Sequence, residues 1–169
     1  MAKLNAARTA QYPLVSEFVF NFNDYVTDSV DLVKKTFGSS TALADAAGVV
    51  TGLTAPAGLV FDCLNLPQGA TIVGGEVIVE TAYAGAGAGA TLSLGIAGST
   101  TALVNAMDLD AAAAGSRTAL TLTAPLVANA GTNLRLTTAG LTAGGATAGK
   151  VRIRVMFTVD GRAMETYPI

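Results

Sequence analysis

Few side chains in this sequence could do chemistry, and the acidic pair Asp108 and Asp110 is the first candidate. Two carboxylates two residues apart could share a cation or act in acid and base catalysis. A calcium loop, however, needs more oxygen ligands at regular spacing, and a glycosidase needs an opposed carboxylate across a cleft. We therefore expect both aspartates in a solvated loop, and a hydrolase that uses them is kept as an alternative.

Other common catalytic and metal-binding groups are scarce. The sequence has no histidine and a single cysteine, Cys63, whereas most nucleophilic triads and most zinc or iron sites need more of these residues. Cys63 lies in an apolar run, so we expect a small buried side chain and not a reactive thiol. The glycines from Gly85 to Gly89 fit neither a dinucleotide-binding motif nor a phosphate loop. We predict a protein that is not an enzyme and has no cofactor or metal.

The basic residues occur mainly as two pairs, Lys34 with Lys35 and Arg152 with Arg154. With a net charge of −2 the chain lacks a basic field that would gather phosphates, so nucleic acid is not an expected partner. The same pairs fit an edge that faces solvent or another protein. The chain also has no long, uniformly apolar run, so we expect no membrane span and synthesis in the cytoplasm.

Charged residues make up only 13% of the chain and hydrophobic ones 51%. An average soluble domain has about 25% charged residues, and a monomer in solution normally keeps charge on its surface for solubility. The composition therefore indicates a protein whose surface is largely covered on assembly.

Alternation of apolar and polar residues predicts short strands that are separated by proline and glycine turns. The strongest alternation runs from Val151 to Val159, and weaker examples are Leu59–Leu66, Glu76–Thr81, Thr91–Ile96, Thr118–Ala124 and Thr132–Thr138. No helical segment is long enough for a parallel crossover. The fold class is therefore all-β, an antiparallel β-sandwich.

The stretch from Leu66 to Gly95 predicts a hairpin in which the glycines and alanines of residues 85–89 form a permissive tip. Near the amino terminus, Phe18, Phe20 and Phe22 alternate with smaller residues and share one strand face. We expect them to anchor the core, and an aromatic face for sugar or partner binding is the alternative. Residues 27–37 fit a short strand with a charged end, or a brief helix.

The sequence divides into an extended arm over residues 1–14, one sandwich domain over 15–163 and a terminal extension over 164–169. Within the domain, residues 38–58 are broken by glycines and a proline and predict one long surface loop. Its low charge favours contact with a neighbouring subunit.

Three segments, Leu66–Gly85, Ala90–Gly98 and Lys150–Ala163, resemble a recurring part of tailed-bacteriophage structural proteins, especially small head decoration (cement) proteins. The resemblance covers about Val60 to Ala163. It implies a jelly-roll-like sandwich that lies on the capsid surface of a virion, binds the major capsid protein and forms a homo-oligomer, a trimer before a dimer. It implies no catalytic residues.

On this hypothesis the arm, the long loop and the basic pairs contact the capsid or neighbouring copies. The candidate interface residues are Tyr12, Pro13, Lys34, Lys35, Val49, Val50, Leu53, Arg152 and Arg154. The alternative function is a phage fibre or lectin-like module that binds host glycan.

Overall fold

The computed structural model describes residues 13–30, 32–39, 59–122 and 132–159, and the backbone of 127–128. These residues form strands and connections without a helix, so the described ranges hold no helix long and apolar enough to cross a membrane. The strands are β1 (Leu14–Asn21), β2 (Tyr25–Thr27), β3 (Lys34–Thr36), β4 (Val60–Leu66), β5 (Ala70–Ala84), β6 (Thr91–Ile96), β7 (Ser99–Asp108), β8 (Arg117–Ala119), β9 (Val127–Ala128), β10 (Thr132–Ala139) and β11 (Ala148–Val159).

Two antiparallel sheets make the sandwich. The first has the order β1-β11-β5-β8, with β9 also paired to β5, and the second has the order β4-β10-β6-β7. The pairs are nested along the chain: β1 with β11, β4 with β10, β5 with β8 and β6 with β7. A chain that doubles back as one long hairpin and then rolls up gives this jelly-roll arrangement. The expected all-β antiparallel sandwich is confirmed.

The core lies between the inward faces of the two sheets, and its alternation follows the period of a strand. On β11, Val151, Ile153 and Val155 are fully buried, while the residues between them face outward. The second sheet contributes leucines of β6, β7 and β10, namely Leu92, Leu94, Leu103, Leu134 and Leu136.

The predicted hairpin between β5 and β6 is wrong. β5 belongs to the first sheet and β6 pairs with β10 and β7 in the second, so the glycine-rich connection crosses from one sheet to the other. Ala86 and Ala90 are fully buried in this connection, and Gly85 and Gly87 adopt positive φ angles of 75° and 105°. Small residues are required here because the chain turns across the end of the core.

Two strands differ from the sequence expectation. β7 runs for ten residues through a segment without a clear alternating pattern, and Leu103 and Val104 are its buried residues. Of the strand expected at residues 118–124, β8 (Arg117–Ala119) contains only the first two. Leu120 N still donates to Gly75 O of β5, and Thr121 N then donates to Leu103 O of β7 in the second sheet. Both strands lie at sheet ends, where tertiary pairing outweighs weak local preference.

The segment after β1 forms a small hairpin of β2 and β3 that docks beside the edge of β4. Asp28, in the hairpin connection, accepts hydrogen bonds from Val60 N at 2.7 Å and from Val30 N at 2.8 Å. Ser29 N donates to Val60 O, and Ser29 Oγ accepts from Asp62 N. Of the strand expected within residues 27–37, only Lys34–Thr36 forms a new strand, β3; Val30 and Leu32, expected on that strand, lie in the connection. The described residues of this segment contain no helix.

Candidate interaction surface

The outer face of the first sheet carries a continuous row of alternating charges, here named the ion-pair ladder. It runs across β8, β5, β11 and β1, and its seven members in order are Arg117, Glu76, Arg154, Glu17, Arg152, Glu80 and Lys150. Arg152 and Arg154, both predicted interface residues, are its central cations.

Strand register places these charges together. Arg154 lies opposite Glu17 on β1 and opposite Glu76 on β5, so one guanidinium reaches carboxylates on both neighbouring strands. Arg154 Nε donates to Glu17 at 2.7 Å, and Arg152 bridges Glu17 at 2.7 Å and Glu80 at 2.6 Å. Three strands are therefore tied across the sheet by side chains as well as by backbone.

The ladder shifts the ionisation of its members. Hydrogen bonds from Arg154 and Arg152 hold the pKa of Glu17 below its usual value, and Lys150 and Arg152 do the same for the pKa of Glu80. The two carboxylates in turn raise the pKa of Arg152. Exposed ion pairs contribute little each to stability. The ladder therefore serves to fix side-chain positions and charge on this face.

The two lysines of the other basic pair have different environments. Lys34 is exposed, and its Nζ lies 5.7 Å from the centroid of the Tyr25 ring. Lys35 is 3% exposed and its Nζ donates to Asp28 at 2.9 Å inside the protein. Lys34 is thus available for a surface contact, whereas Lys35 holds the β2–β3 hairpin together. Alternation along β3 accounts for the difference.

Among the other predicted interface residues, Pro13 is exposed immediately before β1. Tyr12, Val49, Val50 and Leu53 lie outside the described residues, as do most of the arm and of the long loop. Their proposed contacts remain predictions.

The acidic pair, Asp108 and Asp110, lies at the end of β7 and in the loop that follows it. Asp108 ends β7, and its Oδ1 accepts hydrogen bonds from the backbone N–H groups of Asp110 and Ala111, both at 2.9 Å. Both aspartates are exposed. The Asp108 carboxylate thus accepts hydrogen bonds from backbone N–H groups of the loop in which it lies. The expected solvated loop is confirmed. Within the described ranges, no group of three or more His, Cys, Asp or Glu residues could hold a metal ion.

Cys63 and the phenylalanines occupy structural positions. The Cys63 side chain packs against the core, its Sγ donates to Leu134 O at 3.3 Å, and burial raises the pKa of the thiol to about 12. Phe20 is 1% exposed and stacks on Phe37 at 4.2 Å, while Phe18 and Phe22 pack partly buried against the core. The core interpretation of the aromatic strand is therefore confirmed.

An open groove of about 590 Å³ lies at one end of the second sheet. Its polar lining includes Asp62, Asn65, Gln68 and Asn133. Asp62 is bound there by Arg135 through Nε at 2.8 Å, which holds the pKa of the aspartate low. The groove has no aromatic side chain among its lining residues, which a sugar platform would use.

The sequence pattern identified Arg152 and Arg154, but neither Arg117 nor the carboxylate partners. Glu17 lies far along the chain from Glu76 and Glu80, and strand register alone brings these carboxylates to Arg152 and Arg154. Their positions on the polar phase of alternating strands were the available signal. The exposed valines beside Glu17, Val15 and Val19, were missed because strand alternation alone does not tell an edge strand from a central one.

Comparison with known proteins gives one structural likeness. No protein-family profile and no curated protein matches the sequence. A solved chain from the "Cyanophage Pam1 capsid asymmetric unit" has a similar fold, with a TM-score of 0.56 and 20% sequence identity. The alignment covers 94% of this chain and 99% of that chain, so the two are of similar length. The chain thus shares the fold of a cyanophage capsid component over nearly its whole length.

Proposed function

We propose that the protein is a non-enzymatic structural protein of a bacteriophage virion, which binds the outside of the capsid and stabilises contacts between major capsid subunits. The observation that carries the proposal is the fold shared with a chain of a cyanophage capsid over 94% of the sequence. A β-sandwich also occurs in many unrelated functions, so the surface must support the assignment as well.

The composition supports an assembled state. Only 13% of the residues are charged, 10 basic and 12 acidic, and seven of these pair with one another in the ladder. The chain therefore carries less charge than a free monomer normally keeps on its surface for solubility. Large interfaces formed on assembly are more apolar than ordinary surface. The protein therefore fits a particle in which much of its exterior is covered.

Exposed apolar side chains are concentrated near the start of the described chain. Val30 is 67% exposed and Leu32 76% exposed in the connection between β2 and β3, and Leu32 has a positive φ of 61°. Left-handed backbone at a leucine is costly and is tolerated where surrounding structure or function requires it. This hairpin tip, with the arm and residues 38–58, is the surface proposed to contact the capsid.

The assembly is proposed to be a homo-oligomer, for which the sequence resemblance favours a trimer over a dimer. The glycan-binding alternative has no support of its own here, because the aromatic residues that would form its platform lie in or against the core.

Particles of the phage that encodes this chain, prepared without it, provide the test. Purified protein is added back, and bound copies are counted by quantitative mass spectrometry against the major capsid protein. We expect saturation at a fixed ratio and a higher temperature of genome release, read with a DNA-binding dye. Particles that bind no protein, or that bind it without any change in heat resistance, contradict the proposal.

Two variants refine the add-back experiment. Deletion of residues 1–13 should abolish capsid binding while circular dichroism still reports the β-sandwich, and the double variant Val30→Lys with Leu32→Lys should weaken binding. Val73→Lys, at a 44% exposed position on β5, is the matched control and should bind as the unchanged protein does.

A further inference from the structure

One edge of the first sheet is formed by β1, whose eight residues pair, among the described residues, only with β11. Glu17 is its single charged residue, and Leu14, Val15 and Val19 are 36%, 53% and 37% exposed. A long, apolar edge strand is a template for pairing with another strand, and proteins normally shorten, charge or cover such edges.

Other sheet edges in the described ranges are contacted by a neighbouring segment of the chain or are short. Asp28 and Ser29 satisfy the backbone of Val60 and Asp62 at the edge of β4. At the edge of β7, Leu103 O accepts a hydrogen bond from Thr121 N. On the far side of the first sheet, β8 and β9 have only three and two residues. β1 differs from these edges because, among the described residues, its backbone before Asn21 forms hydrogen bonds with β11 alone.

The pattern of backbone hydrogen bonds between β1 and β11 identifies which backbone groups of β1 face outward. Phe22 N donates to Gly149 O at 2.9 Å, and in an antiparallel pair the bonded residues alternate, so Phe20, Phe18 and Ser16 also bond to β11. The backbone N–H of Asn21 points away from β11 and donates to Asp24 Oδ2 at 2.7 Å. The N–H and C=O groups of Val15, Glu17 and Val19 therefore point off the sheet edge.

We propose that β1 pairs with β1 of a second copy of this chain, antiparallel and about a two-fold axis at Glu17. Val15 then faces Val19 of the second copy, Val19 faces its Val15, and the two Glu17 residues face each other. Three outward-facing residues per copy give about six main-chain hydrogen bonds across the axis. The two first sheets become one continuous sheet.

The sequence of the edge is what selects a second copy over another strand. Val15, Glu17 and Val19 read the same from either end, so a two-fold axis places valine against valine at both flanking positions. Such directly opposed apolar pairs stabilise a sheet. A two-fold interface must be self-complementary in this way.

Opposed glutamates are unfavourable unless their charge is compensated. Here Arg152 Nη1 and Arg154 Nε each bind Glu17 at 2.7 Å within the same copy. The whole ladder holds four cations and three carboxylates, so the face at the axis is not anionic. The ion-pair ladder thereby compensates the charge of the two Glu17 residues that face each other in the proposed pair.

The inference rests on the self-association part of the proposed function and selects a dimer over the trimer. Light scattering after gel filtration over a dilution series should give twice the 16.9 kDa of one chain, with dissociation on dilution. Val15→Lys with Val19→Lys should leave only monomer at concentrations where the unchanged chain is dimeric. Val73→Lys, equally exposed but away from this edge, should remain dimeric. Circular dichroism checks that each variant is folded.

Disulfide trapping tests the register, in a Cys63→Ala background. Glu17→Cys places two sulfur-bearing residues across the axis at a Cα separation of about 5.5 Å, within disulfide range. Val15→Cys places them about 13 Å apart along the strands, four residues from each other. We expect a covalent dimer from Glu17→Cys under mild oxidation and none from Val15→Cys.

A chain that is monomeric throughout the dilution series, a dimer that survives Val15→Lys with Val19→Lys, or equal trapping at positions 15 and 17 overturns the pairing. None of these results measures capsid binding. Conversely, a β1-paired dimer that does not bind particles contradicts the proposed function and leaves this inference intact.

Discussion

Replacing Phe20 by alanine is the sharpest test of whether the aromatic strand is core or binding face. Phe20 is 1% exposed, stacks on Phe37 at 4.2 Å and lies 5.7 Å from the Phe18 ring. Removing a fully buried phenylalanine loses about 2 to 3 kcal/mol of transfer free energy. The cavity and the lost ring contacts raise the expected cost to about 3 to 5 kcal/mol.

Urea unfolding followed by circular dichroism measures this cost. For a domain of this size the loss corresponds to a decrease in Tm of roughly 6–20 °C. Tyr25→Ala is the control, because the Tyr25 ring is 62% exposed and contacts only Lys34 among the described aromatic and cation contacts. It should cost about 1 kcal/mol or less. A Phe20→Ala protein as stable as the unchanged chain, with altered glycan binding, would refute the core assignment.

Three further predictions address the glycine-rich crossing, the thiol and the ion-pair ladder. Gly140→Ala should lower the free energy of unfolding by about 2 kcal/mol or more, because the φ of Gly140 is +68° and the new β-carbon would meet the carbonyl of Gly89. Gly144→Ala, at a position with open space around it, should change that free energy by at most about 0.5 kcal/mol. Equal urea midpoints for the two variants would contradict this prediction. Cys63 should react with a thiol reagent at pH 8 only after unfolding, since its raised pKa of about 12 leaves almost no thiolate in the native protein; rapid labelling of the folded chain would oppose it. Arg152→Ala should raise the pKa of Glu17 and Glu80 in an NMR titration, with Arg135→Ala as a control that moves Asp62 instead; unchanged titrations of both glutamates would show that the ladder does not form in solution.

The sign of the pH dependence follows from the same shifts. Glu17 and Glu80 have folded pKa values below that of an unfolded glutamate, about 4.3. Their contribution to stability is therefore complete above that value and is lost as the pH falls through the lowered folded pKa. Acidification through this range should therefore lower the stability of the fold only slightly, because exposed ion pairs contribute little each.

Strand positions were predictable wherever one face of a strand is buried and the other is solvated. Residues 151–159 alternate cleanly because their apolar side chains face the core and their charged ones face the ladder. β7 escaped prediction because its buried residues, Leu103 and Val104, are adjacent and break the alternation. The local pattern carries no information where a strand is irregular.

Sheet assignment could not be predicted from local pattern. A glycine-rich connection between two alternating runs is equally compatible with a tight hairpin and with a crossing between sheets. The choice is made by long-range pairing: β5 is held between β11 and β8, whereas β6 is held between β10 and β7. Buried Ala86 and Ala90 show in hindsight that this connection spans the core and is not a free tip.

The candidate surface was predictable in part. Arg152 and Arg154 were recognisable as an outward pair on a strong strand, but their partner Glu17 is 135 residues from Arg152 in the chain. Alternation places Lys34 and Lys35 on opposite faces of β3 but does not show which face is buried. The burial of Lys35 depends on Asp28 in a small hairpin that docks on β4. These contacts exist only once the sheets have assembled.

Cryo-electron microscopy of purified particles from the phage that encodes this chain tests the central claim most directly. We predict density for a two-sheet β-sandwich on the outer capsid surface, repeated at fixed positions that bridge major capsid subunits. Density for this fold confined to a tail or fibre, or particles that lack it altogether, would contradict the account.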